Sequence, residues 1–260
     1  MNSPRQHPRT RAGVAISALA ALLLGAACGD DGAGSVDAPR RIDGRTVDAR
    51  ATPGADAPVA DGPVIDAPSP AVDASVCATG PFVLDGVLDP SAQVLAGGGT
   101  GIRLAVAVTT TGLLYVATDD AGEGSDHFVL VTDNAPGVET RAAPFAKAGT
   151  IARSGGLLLA LADENDNDFA GWFELPPAGG DVLRSDENYA QSTGGNGGVV
   201  EGVVDLEALT GSRPALVYVA AVPYLTPDAG ALVASAQTPS GNGDGNVDAD
   251  EYLAVVTSCP

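Results

Sequence analysis

The chain is poor in aromatic residues, in basic residues and in long apolar runs. Phe, Tyr and Trp make up 4% of its 260 residues, with one Trp and one Met. There are 13 Lys+Arg against 33 Asp+Glu, a net charge of -20, and a single lysine among the cations. That shortage excludes a nucleic-acid partner, because phosphate binding depends on clustered Lys and Arg displacing counterions. Anionic lipid headgroups are disfavoured for the same reason. No run reaches the roughly twenty apolar residues that a membrane-spanning helix needs. The motifs of common catalysts are missing too: there is no nucleophile elbow, no HExxH and no zinc-spaced His/Cys cluster. Gly124-Ser125-Asp126-His127 offers no oriented nucleophile and base, and His127 reads as an edge or core histidine beside an aspartate. Carboxylates are so numerous that none singles itself out as a glycosidase acid or base. The chain therefore reads as a non-enzyme.

What is present is unevenly spread. Every aromatic lies at or beyond Phe82, while residues 1–77 contain no aromatic and no Glu yet hold most of the arginines. Such a stretch cannot bury enough apolar surface to offset chain entropy. The rest of the chain can, since a domain of that size buries roughly 70% of its unfolded surface. Three segments are expected. Residues 1–27 read as an export signal, with Arg5, Arg9 and Arg11 ahead of an uncharged apolar run at 12–27. The run ends Leu24-Gly25-Ala26-Ala27-Cys28, which resembles the lipobox of bacterial lipoproteins. That resemblance implies a lipidated Cys28 as the mature N-terminus, anchored in the cell envelope at the outer membrane or cell surface. Gly25 stands where a lipobox carries a Leu-type residue, so cleavage near Ala27 to give a secreted protein remains the alternative.

Residues 28–76 repeat a short theme, as in Val36-Asp37-Ala38, Val47-Asp48-Ala49 and Ile65-Asp66-Ala67, with prolines interspersed. Proline stiffens the chain and spaced aspartates repel one another, so a disordered, extended tether is expected. With Cys28 taken by lipid, Cys77 and Cys259 remain as a pair. An oxidising compartment permits a disulfide, worth about 4–5 kcal/mol for so long a loop in the chain-entropy model. Two free thiols are the alternative.

Residues 77–260 read as all-β. Ile102, Leu104, Val106 and Val108 alternate with smaller or polar residues, the period-two mark of a half-buried strand. Further strand-like runs cover 113–118, 127–132, 157–162, 169–175, 199–206, 216–222 and 252–257. Gly/Asp/Asn-rich turns lie between them, and one short helix is expected at 205–209. That many short strands imply a β-sandwich or jelly roll. Phe82-Val83-Leu84-Asp85-Gly86-Val87-Leu88-Asp89, then Leu113-Leu114-Tyr115-Val116-Ala117, then Val200-Glu201-Gly202 running on to Leu206-Glu207-Ala208-Leu209, resemble the DOMON-like sandwiches, which include the family-nine carbohydrate-binding modules. The resemblance implies a binding domain for sugar, haem or another ligand, in some members with structural calcium. It departs from the family-nine pattern, where a pair of tryptophans grips the sugar, because this chain has Trp172 alone.

Three sets of residues could carry chemistry. The loop 240–251 fits a twelve-position calcium loop: Asn242, Asp244, Asn246 through its carbonyl, Asp248 and Glu251 fall at positions 3, 5, 7, 9 and 12, with Gly245 at the turn. Ser240 occupies position 1 in place of Asp, and flanking helices are missing, so a solvated polar hairpin is the competing reading. A second acidic turn, 163–168, reads as a charged hairpin tip or a weaker cation site. Trp172 shares a strand with Phe169 and Phe173 on the opposite face. If the phenylalanines face the core, Trp172 points outward and could stack on a sugar, joined by Tyr189 and Tyr224 from polar loops. Otherwise it packs under a loop. Taken together, these features predict a lipid-anchored, glycan-directed binding module, with a structural lipoprotein that contacts another envelope protein as the alternative.

Overall fold

The computed structural model describes residues 72–73, 76–98, 101–165, 169–191 and 198–259. The expected signal segment, Cys28 and nearly all of the tether lie outside them, as do 166–168 of the second acidic turn. By internal contacts the chain divides into Met1–Ala60 and Asp61–Pro260, and every described residue belongs to the second unit.

The described residues form fifteen strands and little helix. In chain order these are β1 (Val72–Asp73), β2 (Cys77–Ala78), β3 (Gln93–Gly98), β4 (Gly101–Thr109), β5 (Leu113–Asp119), β6 (Ser125–Thr132), β7 (Glu139–Ala142) and β8 (Thr150–Arg153). After them come β9 (Leu158–Glu164), β10 (Phe169–Glu174), β11 (Val182–Leu183), β12 (Asn188–Gln191), β13 (Val199–Asp205), β14 (Leu216–Leu225) and β15 (Leu253–Val256). The expected short helix is α1 (Leu206–Thr210). Asp205 caps it by accepting from the Ala208 N–H, and Gly211 ends it at φ 77°.

Two sheets make an all-β sandwich. One runs β1-β15-β14-β6-β9-β10-β11; the other runs β12-β13-β5-β4-β2, with β3 also pairing with β4. Between them lies the main core, built from Leu104, Val106, Leu114 and Val116 on one side and Val129, Leu159, Leu161 and Val219 on the other. The alternation expected on β4 is present, but both of its faces are covered. Each sheet also carries a roof on its outer side. Over the seven-stranded sheet, the β7–β8 hairpin and the chain that follows β14 bring Ile151, Leu232, Val247 and Tyr252 down onto Phe128, Leu130, Ala160 and Val222. Over the other sheet, the segment 80–92 brings Phe82, Leu84 and Leu88 onto Ala105, Ala107 and Tyr115.

The ordered fold begins upstream of the expected boundary at Cys77. β1 pairs in parallel with β15, and Val76 is buried in the main core. Cys77 and Cys259 form a disulfide with their Cα atoms 5.5 Å apart. Cys77 sits on β2 of the six-stranded sheet, and Cys259 follows β15 of the seven-stranded one, so the bridge ties the two sheets together where the chain enters and leaves.

Candidate functional site

Trp172 is fully buried, a correction to its expected outward face. The parity along β10 is as expected, but its direction is reversed: Trp172 faces the other sheet, and Phe169 and Phe173 face the roof side. The cause is local. A Cβ built on Gly202 would lie 2.4 Å from the indole Nε1, so this glycine of β13 makes the space that the ring fills. The indole N–H donates to the Asn188 carbonyl at 3.2 Å, which satisfies its one polar group. A tryptophan held in this way cannot stack on a sugar.

Tyr224 needs the same correction. It lies on β14, not in a polar loop, and is fully buried under the roof with its ring centroid 5.7 Å from that of Phe128. Tyr189 is also on a strand, β12 at the edge of its sheet, but it is 46% exposed. The three aromatics therefore do not converge on one site.

A different aromatic group does converge. Phe145, Phe169 and Phe173 pack ring to ring, with centroids 4.9–5.4 Å apart. With Leu183 and Tyr189 they line an open groove of about 680 Å³ across the β10 and β12 edges. Gly171 lies beside it: a Cβ there would make ordinary contacts with Leu183, Phe173 and Tyr189 at 3.4–3.7 Å. Arg184, Ser185 and Glu187 form the polar rim. Arg184 is held by Glu174 and Asp186 at 3.2 Å each and by Glu187 at 3.7 Å. Of these three carboxylates only Glu187 lines the groove; Glu174 and Asp186 hold Arg184 from outside its lining. Burial, then the neighbouring Asp186 charge, push the Glu187 carboxyl above its ordinary range. The Phe169/Phe173 spacing was visible in the sequence. Phe145 was not, because it reaches the cluster from a turn at φ 53°.

The motif residues Asp85, Gly86, Tyr115 and Glu201 meet in one buried network. Glu201 Oε1 accepts from the backbone N–H groups of Asp85 at 2.6 Å and Gly86 at 2.8 Å, and Oε2 accepts from the Tyr115 hydroxyl at 2.6 Å. The Tyr115 oxygen in turn accepts from the Asp89 N–H at 3.0 Å. This network fastens the outer roof to its sheet and leaves the carboxylate with donors on both oxygens. Its role is structural.

The loop 240–251 folds against the other roof. Val247 bridges to Ile151 in parallel, with its N–H donating to the Thr150 carbonyl at 2.9 Å and its carbonyl accepting from Ala152 at 2.7 Å. Asn246 Oδ1 accepts from the Thr150 N–H and hydroxyl at 3.0 and 2.9 Å. Asp244 N–H donates to Asn242 Oδ1, and Asn246 N–H to Asp244 Oδ1, both at 2.8 Å. Asp248 and Glu251 form a reciprocal capping box over a short 3₁₀ turn. The five expected positions lie along this one loop, but among the described residues no three His, Cys, Asp or Glu side chains come together as a metal-holding group. Burial, then the Asp244 charge, raise the Asp248 carboxyl, the sign of like charges held close.

His127 is buried, with Nδ1 donating to the Asp119 carbonyl at 2.7 Å; burial lowers its pKa and favours the neutral ring. The lone lysine, Lys147, is buried in an ion pair with Asp126. Comparison of the chain with family models, with curated proteins and with solved structures returned no match.

Proposed function

We propose that this protein is a lipid-anchored extracytoplasmic binding module without catalytic activity, whose β-sandwich takes a neutral glycan in the groove lined by Phe145, Phe169, Phe173, Leu183 and Tyr189. The half-exposed Tyr189 beside the phenylalanine cluster carries the reading. Aromatic faces suit the C–H face of a pyranose ring, and a few convergent polar groups fix its orientation. The rim supplies those groups. Glu187 accepts from sugar hydroxyls, and with Glu174 and Asp186 also on Arg184 the nearby carboxylates outnumber the cation and repel anionic sugars such as uronic acids. The small residues ahead of Cys28 support the lipid anchor.

A second reading, contact with another envelope protein, has its own support. Val182 and Leu183 on the edge strand β11 are 51% and 57% exposed beside the groove. The two readings separate in a binding assay on the full chain across neutral and uronic-acid glycans. The first expects neutral glycans alone to bind, and Tyr189→Ala to weaken binding about tenfold or more, a typical loss for a central aromatic contact. Tyr189 is exposed, so the variant keeps its fold. If no neutral glycan binds, the glycan reading fails.

A further inference from the structure

Gln237 lies just outside the loop 240–251, and nothing in the sequence singles it out. Its neighbour Thr238 exchanges two backbone hydrogen bonds with Ala221 of β14 at 2.7 and 2.8 Å, so this stretch is fixed to the sheet independently of the loop. The Gln237 side chain is buried, at 2% exposure, and reaches the loop's terminal carboxylate: Nε2 donates to Glu251 Oε2 at 3.0 Å. The other end of the same amide is unusual. Oε1 is buried with no hydrogen-bond partner in the protein. A buried acceptor left in that state costs about 1–3 kcal/mol. It points at position 2 of the loop, where a Cβ built on Gly241 would lie 2.7 Å from both Gln237 Oε1 and Glu251 Oε1. Two acceptor oxygens therefore flank the same glycine, one of them without a donor.

Charge points the same way. Asp244, Asp248, Asp250 and Glu251 fall within eight residues, and no lysine or arginine follows Arg213 in the chain. Among the described residues, no ion pair engages any of the four. A buried oxygen without a donor, beside a loop of carboxylates without a counter-charge, calls for a hard cation. We propose that the loop 240–251 binds one calcium ion, and that Gln237 supplies through Oε1 the oxygen that Ser240, at position 1, does not.

The donor set then consists of Gln237 Oε1, Asn242 Oδ1, the carboxylates of Asp244 and Asp248, the Asn246 carbonyl and Glu251. It is all oxygen and mixes neutral with charged groups. Calcium takes six to eight such ligands in flexible geometry, magnesium requires a near-ideal octahedron and keeps its waters, and zinc prefers nitrogen and sulfur. The site is remote from the groove in its chemistry, so its failure would leave the glycan reading standing, and the reverse also holds.

Calorimetric titration of the chelator-treated full chain with calcium chloride tests the proposal, alongside melting with calcium or chelator. The expected result is one calcium per chain and a melting temperature raised by calcium. Asp244 is fully exposed, so Asp244→Ala keeps the fold, checked by circular dichroism. It should weaken calcium binding by at least about tenfold, as should Gln237→Ala, while Gln237→Glu retains binding by restoring an oxygen. Three results would overturn the proposal: no binding at millimolar calcium, binding that Asp244→Ala leaves unchanged, or binding that Gln237→Ala leaves unchanged while Asp244→Ala abolishes it.

Discussion

Glu201 and Glu251 are both buried glutamates with three hydrogen-bond donors each, yet the acceptors beside them differ. Around Glu201 stand donors: two backbone N–H groups and a tyrosine hydroxyl. Around Glu251 stand donors as well, from Asn242, Asp248 and Gln237, but acceptors crowd in beside them: the unpartnered Gln237 Oε1, Asp248 and the rest of an acidic loop. The first carboxylate is complete within the protein. The second is equally supplied with donors but lies beside a buried amide oxygen that has none. Burial of a carboxylate by itself therefore says little about function; the ratio of acceptors to donors around it says more.

The comparison is tested hardest at Glu201. Glu201→Ala removes the partner of two buried donors and one part-buried donor, and each buried orphan costs about 1–3 kcal/mol, so a loss of about 4 kcal/mol is expected. Hydrogen exchange should show the 80–92 segment losing protection along with the rest of the roof. Calcium should not restore the loss. A variant that melts like the parent, or one that calcium rescues, would erase the distinction between the two glutamates.

Much of this architecture is legible from the sequence, and the illegible parts share a cause. The strands from β4 onward that alternate or run apolar were all indicated, as were α1 and the Cys77–Cys259 pair. β3, β11 and β12 were not, nor were β7 and β8, because Glu139-Thr140-Arg141-Ala142 and Thr150-Ile151-Ala152-Arg153 have no apolar alternation. Their arginines are buried, and each donates to nearby backbone carbonyls. The direction of Trp172 was open because periodicity gives the parity of a strand, not which face meets the deeper core; here both faces are covered, and Gly202, 30 residues away, decides. The five loop oxygens were legible because a calcium loop is a local pattern. Gln237 was not, since the fold brings it to the loop through its pairing with β14. Local spacing is written in the sequence, whereas the partner that completes a site is set by packing.

Asp163 extends the comparison to a third buried carboxylate. It accepts from the Ala121 N–H at 2.6 Å but has Asp120, Asp126 and Glu164 for neighbours. Burial foremost, offset in part by that N–H and reinforced by the neighbouring charges, raises its pKa from 3.8 to about 6. A raised carboxyl favours the folded state in its protonated form. The stabilisation is complete below about pH 4 and is lost as the pH rises through about 6. Acidifying from pH 7 to 5 should raise the melting temperature relative to Asp163→Asn, which keeps the acceptor for Ala121 and has no charge to lose. The expected difference is about 2–4 °C, the size of a 1 kcal/mol effect in a domain this large. Parallel pH curves for parent and variant would reject the assignment.

Gly241→Ala discriminates most finely between the two buried glutamates. The backbone there has no positive φ that would exclude alanine, so a new methyl group meets only side-chain ends: Gln237 Oε1 and Glu251 Oε1 at 2.7 Å, and Gln237 Cδ at 3.1 Å. Both side chains are buried and hydrogen-bonded, so displacing their ends costs about 1 kcal/mol, and in chelator the melting temperature should fall by about 2–4 °C. The displacement also separates the two oxygens that the calcium proposal requires side by side. In calcium the parent should therefore melt higher than in chelator, while Gly241→Ala melts alike in both. If calcium protects parent and variant equally, Gln237 and Glu251 do not share an ion, and Glu251 joins Glu201 as a purely structural carboxylate.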